Sequence, residues 1–213
     1  KGYFDSNYLQ TLTKLPISKF VSGAFPFDAY VVRVLNAKHD DGAITVQAKS
    51  NLKGLAVKLP GDLAKPVKQQ RSFNLQFHYF DTRFSNVKFK YADLANLDLD
   101  LIGLPHAGNS QGLSITLGLK QFDWQVWQPF FAAQQAFQSS GKSQFNPLQQ
   151  YYGNIVNLNL QVNRFSAYGQ VLKRMDLILQ PQPNAWDVQV NSDHAVGNIF
   201  WPLNNKPIIA KFY

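Results

Sequence analysis

The chain has 213 residues, 21 Lys and Arg against 13 acidic residues that are all Asp, a formal net charge of +8 and no Cys. That length is enough for one large all-β domain or two small ones with a real core. The missing Cys excludes a disulfide framework and thiolate metal sites, the missing Glu removes a good helix former, and no apolar run is long enough to span a bilayer.

A short helix is expected from Asp5 or Ser6, acting as cap, through Tyr8, Leu9 and Leu12 until Pro16 approaches. Thereafter the dominant signal is period-two alternation, which marks strands with one dry and one wet face. It runs through Ile44, Val46 and Ala48; Phe73, Leu75, Phe77 and Tyr79; Phe84, Val87, Phe89 and Tyr91, broken once by a bulge or turn; and Leu97, Leu99 and Leu101. Ile115, Leu117 and Leu119 continue it, and a helix follows from Trp127 to Phe137, with Pro129 in its first turn. The polar stretch 139–147 reads as a mobile loop. Alternation then resumes at Val156, Leu158, Leu160 and Val162, at Met175, Leu177 and Leu179, and at Trp186, Val188 and Val190.

Turn chemistry separates these runs at Asp40-Asp41-Gly42, Leu59-Pro60-Gly61-Asp62, His106-Ala107-Gly108-Asn109 and Pro181-Gln182-Pro183-Asn184. The predicted fold class is therefore mainly β: an antiparallel, strongly twisted and curved sheet forming an elongated groove or open sandwich, with one or two short helices. Residues 1–213 are expected to form a single segment. Because the chain starts at Lys1 and carries no secretory signal, a processed form or a fragment of a larger protein is expected.

Alternating strands leave one apolar face per sheet, which a second sheet, a helix or a ligand must cover. A dozen buried methylenes at about 0.8 kcal/mol each would sum to roughly 10 kcal/mol, so an acyl chain is a sufficient cover. The basic balance points to anionic partners, among them nucleic acid, lipopolysaccharide and anionic phospholipid head groups. Lys and Arg are scattered singly, and only Lys88 with Lys90 and Lys173 with Arg174 come close together, which argues against nucleic acid.

Three blocks carry a resemblance. Leu52-Lys53-Gly54-Leu55-Ala56-Val57-Lys58-Leu59-Pro60, followed by Leu63-Ala64-Lys65-Pro66, resembles a recurring "L-x-G-L/V-x-L-x-L-P" strand and "L-x-K-P" turn, and Val21-Ser22-Gly23 resembles the "v-x-G" strand before it. The segment Leu117 to Phe131 is similar to a strand ending in "D-x-D-x-W" that enters a helix; Trp127 occupies the Trp position, while Phe122 and Trp124 depart from the pattern around Asp123. The third block runs from Asn157 to Gly197 and resembles a C-terminal pattern of alternating strands, then "W-x-v" at Trp186, then "S-x-x-x-x-G-x-i" from Ser192. These patterns are those of YhdP-type AsmA-like proteins.

The resemblance implies a periplasmic segment of a Gram-negative inner-membrane-anchored protein, built as a β-groove that holds phospholipid acyl chains on their way between the two membranes. It implies no cofactor and no enzymatic activity. The partners it implies are phospholipid, the inner membrane through a part of the protein not present here, and neighbouring groove segments. Groove-lining candidates are Phe73, Leu75, Phe77, Tyr79, Ile115, Leu117, Leu119, Leu158, Leu160, Val162, Leu177, Leu179, Trp186 and Val188. The alternative is a structural or glycan-binding β-sandwich with a closed core, in which Trp124, Trp127, Tyr151 and Tyr152 stack on sugars.

Chemistry-bearing residues are sparse. His39-Asp40-Asp41 and Asp193-His194 have the right groups for metal or acid/base work but no partner at metal-site spacing. Asp98 and Asp100 share one strand face, as glycosidase carboxylates do, but so do carboxylates on any wet sheet face.

Overall fold

The computed structural model describes residues 1–6, 19–34, 43–80, 83–102, 112–139, 155–202 and 207–213. The short helix expected beyond Ser6, the His39-Asp40-Asp41 turn, the His106 turn, the loop 139–147 apart from its first residue, and Tyr151 and Tyr152 lie outside them. The fold is mainly β, with one helix of any length among the described residues, and it divides into two compact units, Lys1–Leu101 and Ile102–Tyr213.

In the first unit, strands β1 (Gly2–Asp5), β2 (Val21–Val34), β3 (Ala43–Ser50), β5 (Phe73–Phe80), β6 (Arg83–Tyr91) and β7 (Ala95–Ile102) pair antiparallel in that order, and β4 (Leu55–Val57) pairs with the start of β2. Register carries the alternation of each strand into ranks that cross the sheet. Ala29, Ala48, Leu75, Phe89 and Leu97 form one rank, and Val31, Val46, Phe77, Val87 and Leu99 the next. The expected break in β6 is a bulge at Ser85, where pairing slips between His78 and Tyr79, and the Ser85 hydroxyl donates to the His78 carbonyl at 2.9 Å.

The opposite face is polar and cross-linked by side-chain pairs, although the Asn86 side-chain oxygen is buried with no partner among the described residues. Thr45 bonds His78, Gln47 bonds Asn74, and Lys88 pairs with Asp98 at 3.0 Å. The Asn86 amide donates to both Asp98 and Asp100. The two carboxylates therefore do share a face, in the middle of a hydrogen-bonded network.

One end of the apolar face is closed by the segment from Leu52 to Pro66. Leu52, Leu55, Phe25 and Tyr91 are buried together, with Phe4, Phe73, Phe89 and Leu63 packed around them. The segment reaches this position because two glycines meet where β2 passes it. Gly23 and Gly54 have φ of 107° and 98°, and a Cβ on either would collide with a backbone carbonyl of the other strand.

Lys65, in the "L-x-K-P" turn, is 1% exposed, and its ammonium donates to the carbonyls of Leu55 and Pro66. Its main chain bridges to Val57 in both directions. Burial, and then the neighbouring Arg71 charge, hold its pKa below the ordinary 10.5. The unfolded chain thus binds more protons between that lowered value and 10.5, so stability rises with pH across this window. Tyr91, whose pKa burial raises above 10.0, contributes the opposite slope, but only as pH rises beyond its unfolded value. Lys65→Met keeps the aliphatic stem and removes the ammonium donor from the buried Leu55 carbonyl, while Pro66 keeps the Gln69 amide at 3.1 Å, at an expected cost of about 1–2 kcal/mol near neutral pH. Urea denaturation of both proteins from neutral pH to pH 10 checks this: the substitution removes the upward slope, and an unchanged slope would assign it to another group.

In the second unit, β10 (Ile155–Ala167), β11 (Gln170–Gln182), β12 (Ala185–Asn191), β13 (Val196–Pro202) and β14 (Ile209–Phe212) pair antiparallel in sequence order. Tyr168 and Gly169, both at positive φ, form the two-residue turn between β10 and β11. On its other side β10 pairs with β8 (Gly112–Leu119) and β9 (Phe122–Asp123) in parallel, a departure from the expected all-antiparallel meander. The chain between β9 and β10, which includes helix α1 (Trp124–Ser139), is the crossover that parallel pairing requires. The helix begins three residues before the expected start because Asp123 caps it, accepting from the Gln125 and Val126 amides at 2.9 and 3.4 Å. Pro129 consequently falls in the second turn, where it removes the hydrogen bond to the Gln125 carbonyl.

Candidate functional site

The parallel and antiparallel registers of the second unit align its apolar positions into ranks on one face. Ile115, Leu158, Leu179, Val188 and Ile199 form the first. Leu117, Leu160, Leu177 and Val190 form the second, and Leu119, Val162 and Met175 the third. Beyond the first rank lie Pro181, Trp186 and Trp201. At a strand spacing of about 4.8 Å, the four strands β8, β10, β11 and β12 make a dry band about 14 Å wide.

Nine candidates from the sequence, Ile115, Leu117, Leu119, Leu158, Leu160, Val162, Leu177, Leu179 and Val188, thus meet in contiguous ranks, with Trp186 in the flanking one. Met175, Val190, Ile199 and Trp201 join them. Met175 and Val190 have the same alternation signal as their neighbours, whereas Ile199 and Trp201 are brought in by the β12–β13 pairing.

What covers this face decides its role. Beyond Val162 and Met175 the β10–β11 ladder skips the Asn163–Arg174 pair, Arg174 has a φ of 49°, and after this break Phe165 pairs with Leu172 on one side and with Phe122 on the other. Helix α1 packs against this end of the sheet. Phe122 stacks on Phe165 with centroids 5.9 Å apart, on Trp127 at 5.3 Å and on Phe131 at 6.5 Å. Trp124 donates to the Tyr168 hydroxyl at 3.2 Å. Within this unit α1 is the one described element outside the sheet, and its aromatic contacts hold it at Phe122 and Phe165, beyond the ranks that run from Ile115 to Met175.

Leu158, Leu160, Leu177 and Leu179 are accordingly half-buried, although they sit at the centre of the band. Val162, at 1% exposure, and Met175 are buried among longer neighbours in adjacent ranks. The polar face is drier at its centre than alternation predicts, since the side-chain oxygens of Asn157 and Asn159 are buried with no hydrogen-bond partner among the described residues.

In the first unit, the candidates divide. Phe73 packs against the closed core under the Leu52–Pro66 segment. Leu75, Phe77 and Tyr79 are half-buried on the same face further along, where Val31 is 69% exposed.

Of the residues with potential chemistry, Asp193 is engaged by Arg174 at 2.8 Å, and among the described residues no three His, Cys, Asp or Glu come together as metal ligands. Among the described residues no helix is long and apolar enough to cross a membrane. The aromatics Trp124 and Trp127 are occupied by Tyr168, Phe122 and Phe131.

No curated protein and no solved structure matches this chain. The family model described as YhdP protein matches residues 1–213, in line with the three blocks quoted above. The chain belongs to the YhdP family.

Proposed function

We propose that the chain is a non-catalytic periplasmic segment of a bridge-like lipid-transfer protein, and that it holds phospholipid acyl chains on the apolar ranks of its sheets between the inner and outer membranes. The observation that carries this reading is the placement of α1. It packs at Phe122 and Phe165, beyond these ranks, and leaves Leu158, Leu160, Leu177 and Leu179 only half-buried in contiguous ranks. Family membership adds support, since YhdP-type proteins are AsmA-like.

The ranks offer acyl chains continuous apolar contact and few polar groups, so lipid would be held without a fixed site and could slide. Each methylene removed from water contributes about 0.8 kcal/mol, which allows one chain to offset the exposure of the band. The parent protein would be anchored in the inner membrane by a part not present here, and neighbouring groove segments would extend the dry path.

The test is native mass spectrometry with lipid extraction on protein purified from Gram-negative cells. Co-purified phospholipid is expected. A protein free of lipid after gentle purification would contradict the reading.

A further inference from the structure

We propose that one end of the second unit's sheet is a membrane contact, at which the strand ends carrying Trp186, Phe200, Trp201 and Ile209 dip into the interface of a lipid bilayer. This goes beyond the lipid-holding reading and is tested apart from it. Trp186 lies directly opposite Trp201, and Phe200 directly opposite Ile209, in ladders that run unbroken to this end. Phe200, Trp201 and Ile209, with Ile208 just before β14, are 45% to 57% exposed. A cluster of large, exposed apolar side chains marks an interaction surface.

The kind of surface follows from where these side chains sit. Trp186 and Trp201 continue the face of the dry ranks, being two residues from Val188 and Ile199, whereas Phe200 and Ile209 alternate to the other face, in register with Asp187. A protein docked on a sheet covers one face, and a strand added at the edge covers the backbone of β14. Neither covers both faces at the tips of three strands. A bilayer does, because a sheet end that enters it meets lipid on both sides, and tryptophan is the side chain suited to the level of the head groups.

Charge is distributed to match. No residue is charged from Leu177 to Trp186, in β13, or from Pro207 to Ala210, and Asp187 is the one charge close to this end among the described residues. Arg174, Asp176, Asp193 and Lys211 lie toward the other end of the same strands, where Arg174 is paired with Asp193 at 2.8 Å. With no basic group among the described residues of the tip, its contact with a bilayer does not depend on anionic head groups. Adsorption of the chain through its net charge of +8 would depend on them.

The experiment is flotation of the whole chain with phosphatidylcholine vesicles at low and at high salt. Binding is expected at both. The Trp201→Ser/Ile209→Ser variant, altered only at exposed positions, is expected to bind at least about tenfold more weakly. Tyr213→Ser, 88% exposed just beyond the far end of β14, should bind as the native chain does. Undiminished binding by the double variant overturns the assignment. Binding confined to anionic vesicles and lost in high salt overturns it in favour of the basic surface. A native chain that sediments as a dimer, with the double variant monomeric, overturns it in favour of a second copy as the occupant. Phospholipid co-purified with the same proteins reports the dry ranks separately: a native chain that floats with the vesicles but carries no lipid supports this contact while contradicting the lipid-holding reading.

Discussion

Replacing Gly23 or Gly54 with Ala is expected to destabilise the first unit by about 3 kcal/mol or more, the largest effect of any single methyl group added to it. Both residues have φ near 100°, which L side chains rarely adopt, and each Cβ would meet the other strand's backbone carbonyl, which has no flexible end to move aside. Relief requires the β2–β4 crossing to open, and that lifts Leu52 and Leu55 from Phe25 and Tyr91. Because both substitutions break the same crossing, the double variant should cost little more than either alone. Gly169→Ala is the control. It also has positive φ, but a Cβ there meets nothing within 4 Å, so only the backbone term of about 1 kcal/mol is expected. Urea denaturation measures all four, and equal losses at Gly23 and Gly169 would show that the close approach is unimportant.

A carboxylate in the second rank should abolish lipid retention without unfolding the protein. Leu160 and Leu177 are directly opposite each other and half-buried, so Leu160→Asp with Leu177→Asp keeps water access for both charges while breaking the dry band at its middle. The loss of two leucine surfaces, about 1.5–3 kcal/mol each when fully covered, and the cost of desolvating a charge under an acyl chain together predict at least a hundredfold drop in retained lipid. Gln161→Asp changes an exposed position on the other face of the same strand and should leave lipid retention as it is. Val162→Asp, at a position 1% exposed, should instead unfold the unit. Lipid quantified per mole of folded protein separates these cases, and full retention by the Leu160/Leu177 variant would mean that the band does not hold lipid.

Much of this was legible in the sequence, because period-two alternation reports which side of a strand is dry and the bulge at Ser85 left its trace as a break between Phe84 and Val87. The two glycines and Lys65 were visible only as parts of family-like patterns. The structure supplies their physical reasons: a crossing too close for a Cβ, and a buried ammonium that donates to the carbonyls of Leu55 and Pro66. The parallel pairing of β8 with β10 was not legible, since alternation carries no strand direction and the returning segment is recognisable only once α1 is placed. Pro129 as a first-turn residue places the helix start at Trp127 in the sequence, whereas the Asp123 cap and the extra turn before Pro129 set it at Trp124.

The ranks themselves could not be read from single strands. Leu160, Leu117, Leu177 and Val190 become neighbours through pairings that a one-dimensional pattern does not contain. The same holds for Arg164 and Lys173, nine residues apart in sequence and directly opposite in the sheet.

The most direct test places a photoreactive amino acid at Leu160 or Leu177 on the apolar face, and at Ile178 or Gln189 on the other, in protein illuminated inside Gram-negative cells. The account predicts phospholipid adducts at Leu160 and Leu177 and none at Ile178 or Gln189. Equal labelling of both faces, or no lipid adduct at Leu160 and Leu177 in folded protein, would contradict it.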